Sequence, residues 1–296
     1  MTTYEKCPVC QGTDIREVLR VRDYTVSGKS FPVYHCNQCT ARFTQQIPGE
    51  TEIGEYYQSE DYISHSDSRK GLINQVYHSV RSITLKRKRK MIEQAVAGKK
   101  GNILDYGCGT GAFLYEMKQA GWQTSGLEPN LGARELAREL NVSNIFPPEY
   151  IHSFPDNHFE VITLWHVLEH VHRLHYTLKH LNRVLKPGGL IFIAVPNYTS
   201  ADAENYGANW AAWDVPRHLY HFSPASMKQL LPAHGFTLKS IHPMWFDSFY
   251  VSMLSEKYKT GDGNLISAFY NGLKSNIKAY GNIEKCSSII YVAEKS

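Results

Sequence analysis

A chain of 296 residues is long enough for one large core with an appended module. Its 42% hydrophobic and 20% charged content exclude a disordered chain, and a net charge of +4 is too mild to demand a nucleic-acid partner. No apolar run reaches the roughly eighteen residues of a membrane helix, and MTTYEKCPVC lacks the apolar core of a signal peptide, so a cytoplasmic protein without membrane insertion is expected.

Residues 1–48 read as a small metal ribbon. Cys7-Pro8-Val9-Cys10 and Cys36-Asn37-Gln38-Cys39 form two Cys-x-x-Cys knuckles, and each turn aims two thiolates at one point. The 25 residues between the knuckles leave room for a short hairpin. Disulfides are disfavoured in a reducing compartment, and a redox role lacks the accompanying βαβ context. Structural zinc on Cys7, Cys10, Cys36 and Cys39 is therefore expected, with no open position for catalysis. Residues 49–98 form a lid and helical linker. The stretch Gly49–Ser68, with Tyr56, Tyr57 and Tyr62, reads either as a connecting loop or as a lid with tyrosines turned inward. From Leu72 to Ala97 a helical pattern carries Val76, Val80 and Ile83 on one side. Its Lys86-Arg87-Lys88-Arg89-Lys90 run points all round the helix, which favours a solvated surface over an RNA-binding stripe.

Asn102–Leu114, NILDYGCGTGAFL, is the centre of the chain. The apolar Ile103-Leu104 ends in Asp105, passes through Gly107-Cys108-Gly109-Thr110-Gly111, and enters a helix with Phe113, Leu114, Met117 and Ala120 on one face. Strand, glycine turn and helix make a cofactor cradle, where bare backbone and free N–H groups meet the ligand. Gly107, Gly109 and Ala112 also satisfy a dinucleotide fingerprint, so a dehydrogenase is one alternative. Asp105 tips the balance: it would repel a pyrophosphate but suits the cationic amino acid end of S-adenosylmethionine (SAM). Glu128, before Pro129 and at the end of Thr124–Leu127, is placed to accept from both ribose hydroxyls.

Residues 99–296 then alternate strands and helices as a parallel doubly wound sheet requires. Val161–Leu164 is the fourth strand, with Trp165 and His166 just beyond its C-terminal edge, where open α/β sheets bind ligands. Trp165 and His166 join Asp105, Gly107, Cys108, Gly109, Gly111, Glu128 and Pro129 as cofactor-binding candidates. His170, His172 and His175 follow at metal-like spacings, but no carboxylate completes a site, and helix-surface positions are expected. Leu190–Val195 is the fifth strand, after the Pro187-Gly188-Gly189 turn. Phe236–Ile241 and Ser288–Glu294 are the sixth and seventh, and the function of an insertion near 247–286 is not readable. Asn209–Ser223 is rich in Trp, His, Tyr and Arg, where a plain connection would be small and polar. His218 and His221 either pack around the helix that Ser223 caps or supply the base that methyl transfer to a protonated acceptor needs.

LDYGCGTGAF, GLEPN, FPDNHFEVITLWHVLEHV and RVLKPGGLIFIAVPN, in this order, resemble the class I SAM-dependent methyltransferases over roughly residues 100 to 200. The resemblance implies a Rossmann-like seven-stranded sheet with an antiparallel last strand. It also implies Asp105 and the 107–111 glycines around the methionine part of SAM, and Glu128 on the ribose. Where family members often show an adenine-binding Asp, this chain reads Asn144-Ile145-Phe146-Pro147-Pro148-Glu149-Tyr150. HLYHFS is similar to the HLxYFS stretch of deoxysugar C-methyltransferases, which also carry a cysteine-rich zinc module. That finer resemblance implies His218 as base and Tyr62 as a lid tyrosine, with His166 shaping the same cavity. Arg217 stands where those relatives carry Glu, which suggests a more anionic substrate or another acceptor atom. The expected activity is methyl transfer to a polar small molecule such as a sugar nucleotide or cell-envelope precursor. An RNA methyltransferase and an inactive SAM-binding scaffold are the alternatives, and Leu164-Trp165-His166-Val167 lacks the base-clamping motif of base-amino methyltransferases. Nothing in the sequence sets the oligomeric state.

Overall fold

The computed structural model describes residues 1–58, 72–140, 142 and 144–296. Three antiparallel strands begin the chain: β1 (Ile15–Arg22), β2 (Ser30–Cys36) and β3 (Arg42–Thr44). The β1–β2 connection is organised by Asp23, whose carboxylate accepts from the backbone N–H groups of Thr25, Val26 and Ser27. A short 3-10 turn covers Ile53–Tyr57, and the long helix α1 spans Leu72–Ala95.

The alternating part follows as β4 (Asn102–Tyr106), α2 (Ala112–Gln119), β5 (Gln123–Leu127), α3 (Leu131–Glu139), β6 (Ile145–Phe146), β7 (Phe159–Trp165), α4 (Leu174–Val184) and β8 (Leu185–Pro196). Then come α5 (Ala201–Tyr206), β9 (Tyr220–His221), α6 (Pro224–Leu230), β10 (Phe236–Pro243), α7 (Asp247–Thr260), α8 (Leu265–Gly281) and β11 (Ser288–Lys295). Seven strands form one sheet in the order β10-β11-β8-β7-β4-β5-β6. Strands β4 to β8 within it pair in parallel, and β11 runs antiparallel to both neighbours. This is the expected α/β architecture, including the reversed last strand.

The central strands are apolar on both faces because helices cover both. On one face Ile103, Val161 and Phe192 pack with Phe113 and Met117 of α2 and Ile92 of α1. On the other, Leu104, Ile162, Leu164 and Ile193 pack with Leu174, Leu178 and Leu181 of α4. That second core runs without a break into the N-terminal strands through Leu168, Tyr220, Phe222 and Phe43. The continuity has a backbone counterpart. Strand β9 pairs with β3, with Phe43 opposite Tyr220 and Arg42 opposite His221, so the loop carrying His218 completes the small sheet.

The 247–286 insertion is an antiparallel helix pair. Glu256 of α7 accepts from Tyr206, Ser267 and Asn271. Buried Asp202 accepts from Trp210, Ser275 of α8 and Ser287 at the start of β11. These bonds fix α7 against the C-terminal edge of the sheet. Among the described residues no helix is long and apolar enough to cross a membrane.

Candidate active site

At the end of β4 the backbone of Gly107, Gly109 and Gly111 takes φ of +74°, +53° and +76°. Those angles favour glycine, and at Gly107 a Cβ would also lie 2.5 Å from Val167. A Cβ at Gly109 would meet nothing within 4 Å, so this part of the turn faces open space. Glu128 turns back over the same turn, and its carboxylate accepts from the N–H of Gly109 and of Asn130, each at 2.9 Å. Asp105 is buried and accepts from the Thr163 hydroxyl at 2.6 Å. Burial pushes its carboxyl up to about 7, against the pull of Thr163 and Lys88. Burial likewise raises Glu128. Cys108 buries its side chain with Leu114, Ala137 and Ile145, so only its main chain faces the turn, and Pro129 is exposed beyond Glu128. At the third strand's end, Glu149 is exposed and Tyr150 stacks on Phe146 with 3.9 Å between ring centroids.

Lys88 corrects the reading of the basic run as a purely solvated surface. Its ammonium lies 4.1 Å from the centroid of Trp165, and burial brings its pKa down to about 8 despite Asp247 and Asp105. Arg87 lies over Phe246 and Arg89 pairs with Glu93 and Glu116. A helix packed on a sheet turns part of any five-residue run inward, whatever its charge.

Beside the cradle, beyond the ends of β7 and β8, lies a cavity of about 990 Å³. Its walls come from the Arg22–Val26 turn, His166, His170, Pro196, the 211–218 loop and α7. His166, in a left-handed conformation with φ +57°, ends β7 and turns its ring between two carboxylates. Its Nε2 is 2.9 Å from Asp247 and its Nδ1 3.4 Å from Glu169. Burial alone would lower its pKa, but the neighbouring carboxylates of Asp247 and Glu169 hold it at about 9. His218 is buried on the cavity wall, and its Nδ1 donates to the Ala212 carbonyl at 2.9 Å. A carbonyl only accepts, so Nδ1 carries a proton, and in the neutral ring the lone pair then sits on Nε2, 3.8 Å from Asp214. His170 packs edge-on to it at 4.5 Å, and burial with the neighbouring His218 pushes its pKa down to about 4.

Several expectations change here. His170 is not on a helix surface; it meets the Tyr57 hydroxyl and the Arg217 carbonyl, each at 3.0 Å. A carboxylate does complete a histidine cluster, because Glu169, His170 and His218 bring ligand atoms within 4.8 Å of one another. His172 and His175 instead contact Pro48 and His234. Arg217 does not face a substrate: it is 1% exposed, and its guanidinium is taken by Asp214 at 2.6 Å and Asp23 at 3.3 Å. Its charge is matched by these carboxylates of the protein rather than by a substrate anion. His221 points away from the cavity, with Nε2 3.0 Å from the Thr44 hydroxyl, as an extended β9 requires. Asp247, Tyr250 and Tyr258 are cavity residues that sequence reasoning missed. Tyr62 lies outside the described residues.

In the N-terminal sheet the sulfurs of Cys7 and Cys39, and of Cys10 and Cys36, are 3.6 Å apart, and all four lie within 4.8 Å. That is far beyond a disulfide bond and close to the roughly 3.8 Å between sulfurs of a tetrahedral zinc–thiolate site.

A family model described as a methyltransferase domain matches residues 80–241. The ubiquinone biosynthesis O-methyltransferase of Proteus mirabilis (strain HI4320) is 31% identical over 107 residues, covering 34% of this chain and 43% of that protein. The chain thus spans less than half the length of this relative. The enzyme of the same name from Pectobacterium carotovorum subsp. carotovorum (strain PC1) is 28% identical over 200 residues, 64% of this chain and 74% of its own. Among solved structures, a putative sarcosine dimethylglycine methyltransferase from Galdieria sulphuraria superposes with a TM-score of 0.50 at 16% identity, over 71% of this chain and 86% of that one. At that identity the likeness concerns the fold alone.

Proposed function

The chain belongs to the SAM-dependent methyltransferase domain family, and on that premise we propose that it methylates an oxygen of a polar small molecule held in the cavity beside the cradle. The observation that carries this reading is the cavity itself, set between cradle and ribbon with His218 on its wall. Its volume of about 990 Å³ suits an acceptor of nucleotide-sugar or cell-envelope-precursor size. The relatives named as O-methyltransferases favour oxygen over carbon.

SAM supplies an electrophilic sulfonium methyl. In this reading Glu128 takes the ribose hydroxyls, the Gly107–Gly111 backbone lies against the amino acid end, and ionised Asp105 meets the ammonium. Lys88, over the Trp165 ring, is near enough to Asp105 and Asp247 to feel both charges. The cavity then has to align the acceptor and dispose of its proton. His218 is the group assigned to that proton, because its Nδ1–H is fixed on Ala212 and its other nitrogen is left with a lone pair. His166 holds Asp247 and Glu169 in place, and Tyr62 is assigned to the lid. The four-cysteine cluster holds a structural zinc, and the protein works in the cytoplasm.

A methyl-transfer screen with labelled SAM across nucleotide sugars, cell-envelope precursors, small acids and tRNA tests the reading. Label on a hydroxyl of a small acceptor is the expected result. Label on tRNA alone, or none with SAH bound tightly, would replace it with an RNA enzyme or a SAM-binding scaffold.

A further inference from the structure

Glu169, His170 and His218 stand together on the cavity side of the sheet edge, each with one ligand atom within 4.8 Å of those of the other two. We propose that this trio is a second metal site, separate from the four cysteines, which binds a divalent transition ion such as Mn²⁺, Co²⁺ or Zn²⁺ and presents it to the acceptor.

Three observations carry the site. The Glu169 side chain is fully buried, and among the described residues neither of its oxygens receives a hydrogen bond. The charged group nearest to it is the His166 ring at 3.4 Å, and that ring's other nitrogen is committed to Asp247. His166 thus approaches one oxygen only, and the second oxygen of a buried carboxylate stays without a partner, a cost that a further cation would remove. Second, both imidazoles have main-chain carbonyls on Nδ1: His170 that of Arg217 at 3.0 Å, with the Tyr57 hydroxyl at 3.0 Å on the same nitrogen, and His218 that of Ala212 at 2.9 Å. This is the outer-shell arrangement that sets the tautomer of a metal-ligating histidine and leaves Nε2 to the ion. Third, His170 and His218 both line the cavity, so coordination positions not taken by protein would open towards the acceptor. Two imidazoles and one carboxylate suit borderline first-row ions better than a calcium site built of oxygens alone.

The chemical use of the ion rests on the methyl-transfer reading; the site does not. In that use His218 handles the acceptor's proton by holding the cation that acidifies it, rather than by taking the proton into its own ring. The acceptor O–H bond breaks, and the proton leaves to water in the open cavity. The oxygen then forms its bond to the methyl carbon as the carbon–sulfur bond breaks, leaving a neutral thioether.

The test is a Co²⁺ titration of the whole chain with its cysteine-bound metal in place, read by visible absorption. Cobalt on thiolates shows charge-transfer bands that cobalt on imidazole and carboxylate lacks, so the two sites are distinguishable. One further equivalent without thiolate bands is expected, bound at least about tenfold more weakly in Glu169→Gln and His170→Ala. Since Glu169 is buried, its variant risks misfolding; His170→Ala, judged folded by its SAH affinity, then decides. No second equivalent in the parent chain overturns the proposal, as does one that binds His170→Ala and His218→Ala with parent affinity. Methyl transfer alongside keeps the readings apart. Cobalt at the trio without transfer to any acceptor leaves the site standing and removes the enzyme reading. Full transfer by a chelated chain with no second equivalent does the reverse.

Discussion

The cradle and the cavity lie side by side at one sheet edge, yet they treat carboxylates in opposite ways. In the cradle, Asp105 and Glu128 are buried with too little positive charge around them, and burial raises both. In the cavity, Asp214 and Asp247 are also penalised by burial, but Arg217 and His166 outweigh it and hold both below the usual range. The first region is incomplete without a cation from outside. In the second, Asp214 and Asp247 are neutralised from within, by Arg217 and His166, before any substrate arrives. A cofactor that carries its own ammonium suits the one, and an acceptor that must be aligned to a fraction of an ångström suits the other.

The variant that separates the two regions most sharply is His218→Ala. Turnover is expected to fall by about 10²–10⁴-fold, the usual contribution of a group that manages a proton, while SAH affinity measured by calorimetry stays at its parent value. Parent turnover on the true acceptor would remove His218 from the mechanism. Glu128→Ala attacks the other side. It should weaken SAH by about 1–3 kcal/mol, the scale of hydrogen bonds to a charged group, and unchanged calorimetric affinity would refute its ribose role.

Asp105 gives a pH signature that the cavity cannot mimic. Its folded pKa, about 7, lies above the ordinary carboxylate value, so the folded protein without ligand holds a proton that the unfolded chain has lost. Stability without cofactor should therefore fall as pH rises from the ordinary carboxylate range through 7. SAH affinity should move the other way, rising by up to about tenfold per pH unit below 7 as the carboxylate ionises. Asp105→Asn should flatten both slopes, and a variant that keeps the parent pH dependence would assign them to another group. The smallest effect on the cofactor should come from the ribbon. Cys36→Ser is expected to abolish the one zinc per chain seen by metal analysis and to raise the acceptor KM, with SAH affinity intact. Parent protein free of zinc when prepared without chelators would end the zinc assignment.

The cradle was legible in the sequence because it is built from neighbours. Asp105, the glycine turn and Glu128 sit within one strand–turn–helix–strand unit, and their roles depend on main-chain geometry that spacing alone implies. The reversed last strand was likewise available from the family resemblance. The cavity was not, because its partners are far apart in the chain. Asp247 belongs to a helix pair that carries no motif, and only the fold brings it to His166. The role of Arg217 was inverted for the same reason: Asp23, which helps neutralise it, lies on the ribbon. His170 looked like a surface histidine because the Leu168–His170 turn is too short to show any period.

The two-residue strand Tyr220–His221 has a consequence for descent. By pairing with β3 it makes the ribbon and the His218 loop one sheet, and the ribbon's Arg22–Val26 turn is part of the cavity wall. A ribbon exchanged for a foreign one would leave Phe43 and Arg42 without their counterparts and redraw the wall of the cavity. The first fifth of the chain is therefore bound to coevolve with residues nearly two hundred positions downstream. Lineages that diverge in acceptor should show their paired changes there, across the β3–β9 seam, while the glycine turn stays still.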